Sequence, residues 1–110
     1  MRILLVEDDP YQRRVMALLL AGAGHEVVEC RDAAEARRAE GYDWALVDRQ
    51  LPDGDGLDLA VELKGPALLL TGEDLGPDER ARLQAARVAL LTKPVRPKEL
   101  EALLAGLARA

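Results

Sequence analysis

Four short apolar runs in this chain each end in a polar residue that carries chemistry. Ile3-Leu4-Leu5-Val6 is followed by Glu7-Asp8-Asp9, Ala45-Leu46-Val47 by Asp48, Ala67-Leu68-Leu69-Leu70 by Thr71, and Val88-Ala89-Leu90-Leu91 leads to Lys93-Pro94. Runs of this length, apolar throughout rather than alternating, fit strands of a parallel sheet covered on both faces. In an open α/β sheet, ligands bind beyond the carboxyl ends of the strands. The pattern therefore predicts that three of these acids, Glu7, Asp8 and Asp48, meet a hydroxyl and an ammonium at one edge.

Between the apolar runs the sequence reads as helices. Asp9-Pro10 supplies a cap and an N1 proline for a helix to about Ala23. Its Tyr11, Val15, Leu18, Leu19 and Gly22 share one face and are expected to form the apolar stripe. Glu26-Val27-Val28-Glu29-Cys30 forms a further strand. Asp32-Ala33-Ala34-Glu35 has capping-box spacing and opens a helix through about Glu40. Leu51-Pro52-Asp53-Gly54-Asp55-Gly56 is dense in turn residues and precedes a short helix from about Leu57 to Lys64. Gly76-Pro77-Asp78-Glu79 begins another, with acids where the helix dipole favours them. Pro97 opens the last, with Leu100, Leu103, Leu104 and Leu107 on its buried face. Five βα units without a linker predict a single α/β domain over 1–110. Its architecture is a three-layer αβα sandwich around a doubly wound, five-stranded parallel (βα)5 sheet.

Bulk properties exclude several functions. The net charge of −5 argues against direct nucleic-acid binding, which needs a basic footprint. With Trp44, Tyr11 and Tyr42 as the only aromatics, no platform for stacking bases is expected. Cys30 is the only cysteine, so an internal disulfide is impossible and a reducing, cytoplasmic setting is expected. No apolar stretch is long enough to span a bilayer, and no membrane association is expected. Glu7-Asp8-Asp9 cuts short the apolar start, which lacks the form of a signal peptide. No glycine-rich phosphate loop is present, and His25 and Cys30 receive no role.

The motifs Ile3-Leu4-Leu5-Val6-Glu7-Asp8-Asp9-Pro10, Asp48 with Leu51-Pro52-Asp53-Gly54-Asp55-Gly56, Leu70-Thr71-Gly72 and Leu91-Thr92-Lys93-Pro94 occur in order, each at a strand end. Together they resemble the receiver domain of two-component response regulators, over the whole chain. The resemblance implies the flavodoxin-like strand order 2-1-3-4-5. It also implies a phosphoacceptor that takes a phosphoryl group on Asp48 from a histidine kinase or histidine phosphotransfer protein. A carboxylate with a pKa of about 3.9 is already ionised and needs no base to act as nucleophile. Its obstacle is the negative charge of the donor, which Mg²⁺ (or Mn²⁺) would neutralise.

By the same resemblance Asp8, Asp48 and the backbone carbonyl of Gln50 ligate the metal, with Glu7 acting through water. Thr71 and Lys93 hold phosphoryl oxygens, and the Lys93-Pro94 bond is cis. Asp9 is expected to be only the helix cap. Gln50 and Glu73 stand where family members tune hydrolysis of the acyl phosphate, and Gly72 leaves space before Asp48.

The chain departs from the family at Leu90, where the switch residue is usually aromatic, and at Ala86-Arg87-Val88-Ala89, which lacks the acids of a common dimer surface. Output through the last helices is therefore expected to be unusual. The output would reach a downstream protein partner or an effector domain missing from this chain. One alternative is a non-phosphorylated receiver-like interaction module with atypical output. Another is an aspartyl-phosphate phosphatase, which needs an acid where Gln50 stands. The chain is therefore read as a signalling phosphoacceptor that assists its own chemistry rather than as an enzyme.

Overall fold

The computed structural model describes residues 1–63 and 66–108, with side chains through Gly106. Five parallel strands form the central sheet: β1 (Arg2–Val6), β2 (Glu26–Cys30), β3 (Trp44–Asp48), β4 (Ala67–Thr71) and β5 (Val88–Thr92). Their spatial order is β2-β1-β3-β4-β5, the flavodoxin-like order, so the chain winds first one way and then the other from β1. The helices are α1 (Pro10–Gly22), α2 (Ala33–Arg38), α3 (Gly56–Glu62), α4 (Pro77–Ala85) and α5 (Pro97–Ala108). The third helix ends at Glu62, short of the expected Lys64, because Leu63 is already extended; Lys64 itself and the side chain of Leu107 lie outside the described residues.

Successive side chains on each strand enter opposite cores. Leu4, Val6, Ala45, Val47 and Leu69 pack with α2, α3 and α4 through Ala33, Ala36, Leu57, Leu59, Ala60 and Leu83. Ile3, Leu5, Leu46, Leu68, Leu70 and Leu91 pack with α1 and α5 through Ala17, Leu20, Leu100 and Leu104. Burial on both sides explains why the strands read as unbroken apolar runs.

Register brings the strand ends level. Val6 lies opposite both Val47 and Cys30, Asp48 opposite Leu70, and Thr71 opposite Thr92. Residues just past β1, β3, β4 and β5 consequently share one edge.

The face of α1 is the main correction to the sequence reading. Tyr11 is 77% exposed and Leu18 60%, and Val15 and Leu19 are also exposed. The sheet instead receives Ala17 and Leu20, with Met16 partly buried. Leu18, Leu19 and Leu20 point about 100° apart around the helix, so a run of leucines cannot share one face. Small Ala17 lets the helix approach the sheet. Leu18→Gln is therefore expected to change unfolding free energy by less than about 0.5 kcal/mol in urea titrations. A loss of several times that would return Leu18 to the core.

Helix starts follow the expected chemistry. Asp9 Oδ1 accepts from the amides of Tyr11 and Gln12 at 2.9 and 3.1 Å. Asp32 accepts from the Glu35 amide at 2.8 Å, but Glu35 reaches the Arg31 amide rather than that of the cap. Asp53 accepts from the amides of Ala33 and Ala34, adding a second carboxylate at the start of α2. That helix ends at Arg38, two residues earlier than expected, because Ala39 is already extended.

Candidate functional site

Asp48 closes β3 and is only 5% exposed; Glu7, just past β1, is 4% exposed. Two carboxylates buried side by side repel. Lys93, the first residue after β5, compensates. Its Nζ lies 2.9 Å from Asp48 Oδ1 and 3.6 Å from Glu7 Oε1. It also donates to Gln12 Oε1 at 3.2 Å. Burial lowers the lysine's affinity for its proton, but hydrogen bonding and attraction from Asp48 and Glu7 outweigh that, so it stays charged above its ordinary range. The Lys93-Pro94 peptide is cis, the isomer the resemblance implies.

Glu7 is pushed up to about 7, first by burial and then by Asp48 beside it. Its backbone carbonyl accepts from Arg13 at 3.0 Å, fixing the turn between β1 and α1. Asp8 is exposed. Carboxylate oxygens of Glu7, Asp8 and Asp48 lie within 4.8 Å of one another. Three oxygen donors at such a spacing, with no nitrogen or sulfur among them, fit a hard divalent cation of the Mg²⁺ or Mn²⁺ type.

A cleft of about 630 Å³ opens beside Asp48, lined by Gln50, Thr71, Gly72, Glu73 and Lys93 among others. A Cβ on Gly72 would meet nothing within 4 Å, so that glycine keeps space open rather than relieving a clash. Thr71 is buried at the end of β4. Its hydroxyl is turned into its own loop, accepting from the Glu73 amide at 3.1 Å and facing the Glu73 carbonyl at 3.3 Å. Gln50 and Glu73 are exposed at the rim. The turn-rich stretch forms a small antiparallel ribbon, Gln50–Leu51 against Gly54–Asp55.

The family follows from a direct match. A family model described as the response regulator receiver domain covers residues 3–105. The chain belongs to this family. It is 34% identical over 120 residues to the transcriptional regulatory protein PhoP of Escherichia coli strain K12, covering 99% of this chain and 52% of PhoP. A gliding motility regulatory protein of Myxococcus xanthus is 35% identical over 103 residues, covering 84% of this chain and 13% of that protein. The chain thus spans about half the length of PhoP, and much less of the second relative. Among solved structures, a CheY-like receiver domain protein from Methanospirillum hungatei superposes with TM-score 0.85 at 27% identity, covering 98% of this chain and 94% of that one. The chemotaxis protein CheY4 of Vibrio cholerae gives 0.81 at 25%, covering 96% and 97%.

As a receiver domain of two-component response regulators, the chain is a signalling domain of a class that binds Mg²⁺ in an acidic pocket. Its five candidate side chains, Glu7, Asp8, Asp48, Thr71 and Lys93, stand at one sheet edge. Leu90, where the resemblance leads one to expect a switch aromatic, is partly buried against the core and has no polar group to move. The sequence reading missed Gln12, Arg13 and Arg49. Gln12 and Arg13 lie within the first turn after the Asp9 cap, where a helix leaving the site must pass back over it. Arg49 directly follows Asp48, and its pairing depends on the distant Glu79.

No helix among the described residues is long and apolar enough to cross a membrane.

Proposed function

We propose that Asp48 accepts a phosphoryl group from a histidine kinase or histidine phosphotransfer protein in a Mg²⁺- or Mn²⁺-dependent reaction, switching protein–protein contacts. The observation carrying this reading is the bond from Lys93 Nζ to Asp48 Oδ1, 2.9 Å, beside the Glu7–Asp8–Asp48 oxygen cluster. Asp8, Asp48 and the Gln50 carbonyl would hold the cation, with Glu7 through water; when bound, it neutralises charge on the entering phosphoryl oxygens.

Asp48 attacks through a carboxylate oxygen as the phosphorus–nitrogen bond to the donor histidine breaks. The imidazole nitrogen keeps that electron pair. Lys93 stays protonated and offers N–H donors to a phosphoryl oxygen, while also holding Asp48 in place. Thr71 leaves the Glu73 backbone and donates its hydroxyl to another oxygen. Gln50 is not an acid, which supports a phosphoacceptor rather than turnover of outside substrates.

A second feature supports a helical protein donor. An apolar groove of about 540 Å³ runs beside the site between α1 and the segment after Lys93, lined by Tyr11, Val15, Met16, Leu19, Pro94 and Val95. Its Glu7 and Lys93 end opens next to Asp48, so a helix laid along it would carry a histidine to the nucleophile. The exposed face of α1 is thus read as a docking face. The free buried Cys30 thiol fits a cytoplasmic setting, and the −5 charge fits output through a downstream protein or effector domain rather than direct nucleic-acid contact.

Incubation with acetyl phosphate and Mg²⁺ is expected to add one phosphoryl group, read by intact mass. Asp48→Asn should gain none. No adduct on the parent protein with either acetyl phosphate or a phosphorylated histidine donor, while Mg²⁺ binds, would favour the interaction module instead.

A further inference from the structure

Arg49 follows the proposed phosphoacceptor and bridges two helix starts. Its guanidinium approaches Asp55, the cap of α3, at 3.5 Å, and pairs with Glu79 in the first turn of α4. Glu79 uses its other oxygen to accept from the Gly76 amide at 3.1 Å, closing the start of α4. One carboxylate therefore joins the cap of α4 to the residue after Asp48. The Arg49 side chain is only 20% exposed and lines the same cleft as Asp48.

The backbone of Arg49 cannot follow a moving partner. Its amide donates to Leu70 at 2.8 Å, and its carbonyl accepts from Gly56 at 2.6 Å. The segment Gly72–Gly76 is held at both ends: the Thr71 hydroxyl binds Glu73, and Glu79 binds Gly76 and Arg49. Between them Leu75 is buried in the core. The Thr71 hydroxyl cannot serve a phosphoryl group and the Glu73 amide at once, so engaging a phosphoryl group removes the bond that holds the start of this segment. Only four residues separate Thr71 from Gly76, so a shift of the released segment would act on Gly76 and on the Glu79 carboxylate that joins it to Arg49.

We propose that the Arg49–Glu79 pair is a tether that holds the β4–α4 segment in its unphosphorylated arrangement and carries the state of Asp48 to α4. The inference rests on Asp48 as the acceptor. A phosphoryl group brings close to two negative charges into the cleft and competes with Glu79 for the guanidinium. Both the displacement and the competition weaken the tether in the same state. Leu90 offers no polar route to that helix; the ion pair does.

Reciprocity gives the test: weakening a contact made only in the resting arrangement must tighten binding of whatever favours the other. Glu79→Gln keeps an oxygen for the Gly76 amide and removes the charge facing Arg49. With Mg²⁺ present, beryllofluoride is titrated as a phosphoryl mimic and amide resonances of Gly72–Arg80 are followed in the full chain. The variant is expected to bind about fivefold more tightly, the low end for such coupling because both side chains keep some exposure. Its free resonances should lie part-way along the line from the wild-type free to bound positions. Arg49→Gln should produce the same displacement, and the double variant no more than either alone. Unchanged or weaker binding, with shifts confined to the neighbours of the substituted residue, overturns the tether. A wild-type protein that binds Mg²⁺ but ignores beryllofluoride overturns the acceptor reading, and the inference with it.

Discussion

Methionine in place of Lys93 is expected to cost the metal-free protein about 2–3 kcal/mol at about pH 8, measured by urea unfolding. Removing one partner of a buried pair typically costs about 3–5 kcal/mol, because the other charge stays behind unpaired. Lys93 keeps 30% side-chain exposure, which places the loss below that range. Methionine retains most of the apolar stem, so the effect reports the ammonium. Two buried carboxylates, Asp48 and Glu7, would then face each other without the ammonium that now lies 2.9 and 3.6 Å away.

The pH dependence fixes the sign. Glu7 titrates at about 7 in the fold against 4.5 unfolded, so the fold binds that proton more tightly. Its contribution is complete below about pH 4.5 and is lost as pH rises through about 7. Lys93 opposes this rise of Glu7, so its removal carries the loss to higher pH. The Lys93 contribution in the parent is present below the ordinary lysine range and is lost only as pH passes its raised folded value. Hence the variant should approach the parent near pH 5, where Glu7 is protonated, and again with saturating Mg²⁺. Phosphoryl transfer should fall about a hundredfold, as for loss of one donor to developing charge. Equal stability of the two proteins at about pH 8 without metal would refute the role given to the ammonium.

The strand ends were legible because two constraints acted on the same residues. A parallel sheet buried on both sides demands continuous apolar strands, and Leu4–Val6, Ala45–Val47 and Leu68–Leu70 satisfy it with nothing polar inside. Whatever interrupts such a run marks the edge, so Glu7, Asp48 and Thr71 stood out without any structure. Helix faces were less legible. Leu18, Leu19 and Leu20 are the same residue at three angles, and only contact with the sheet selects Leu20. Ala17, the residue that sets the approach of α1, carries almost no hydrophobic signal. Arg49 was illegible for another reason. Its meaning lies in Glu79, thirty residues away, and nothing in a 32% charged sequence says which distant acid an arginine will reach. The Thr71 hydroxyl belongs here too: sequence predicts a ligand for phosphoryl oxygen, whereas the geometry adds the loop bond to Glu73 that must first be broken.

Gly56→Ala is expected to destabilise the protein by about 3 kcal/mol, although alanine is the better helix former by about 1 kcal/mol. Gly56 is the buried first residue of α3, and a Cβ there would overlap the carbonyl oxygen of Asp48 and sit 2.7 Å from the Cα of Arg49. Both obstacles are backbone, so no side-chain rotation relieves them. The Gly56 amide also donates to the Arg49 carbonyl at 2.6 Å, and pushing α3 outward breaks that bond. The close approach holds the start of α3 against the end of β3, next to the cleft that Asp48 and Gln50 both line. A methyl group there should therefore lower phosphoryl acceptance as well as stability, whereas distant core variants of equal stability loss would keep it. Gly22→Ala is the control: its Cβ meets nothing within 4 Å, so alanine should stabilise α1 by up to about 1 kcal/mol. If Gly56→Ala unfolds within about 1 kcal/mol of the parent, the loop has room to yield, and the contact between α3 and the end of β3 is not what sets the position of Asp48.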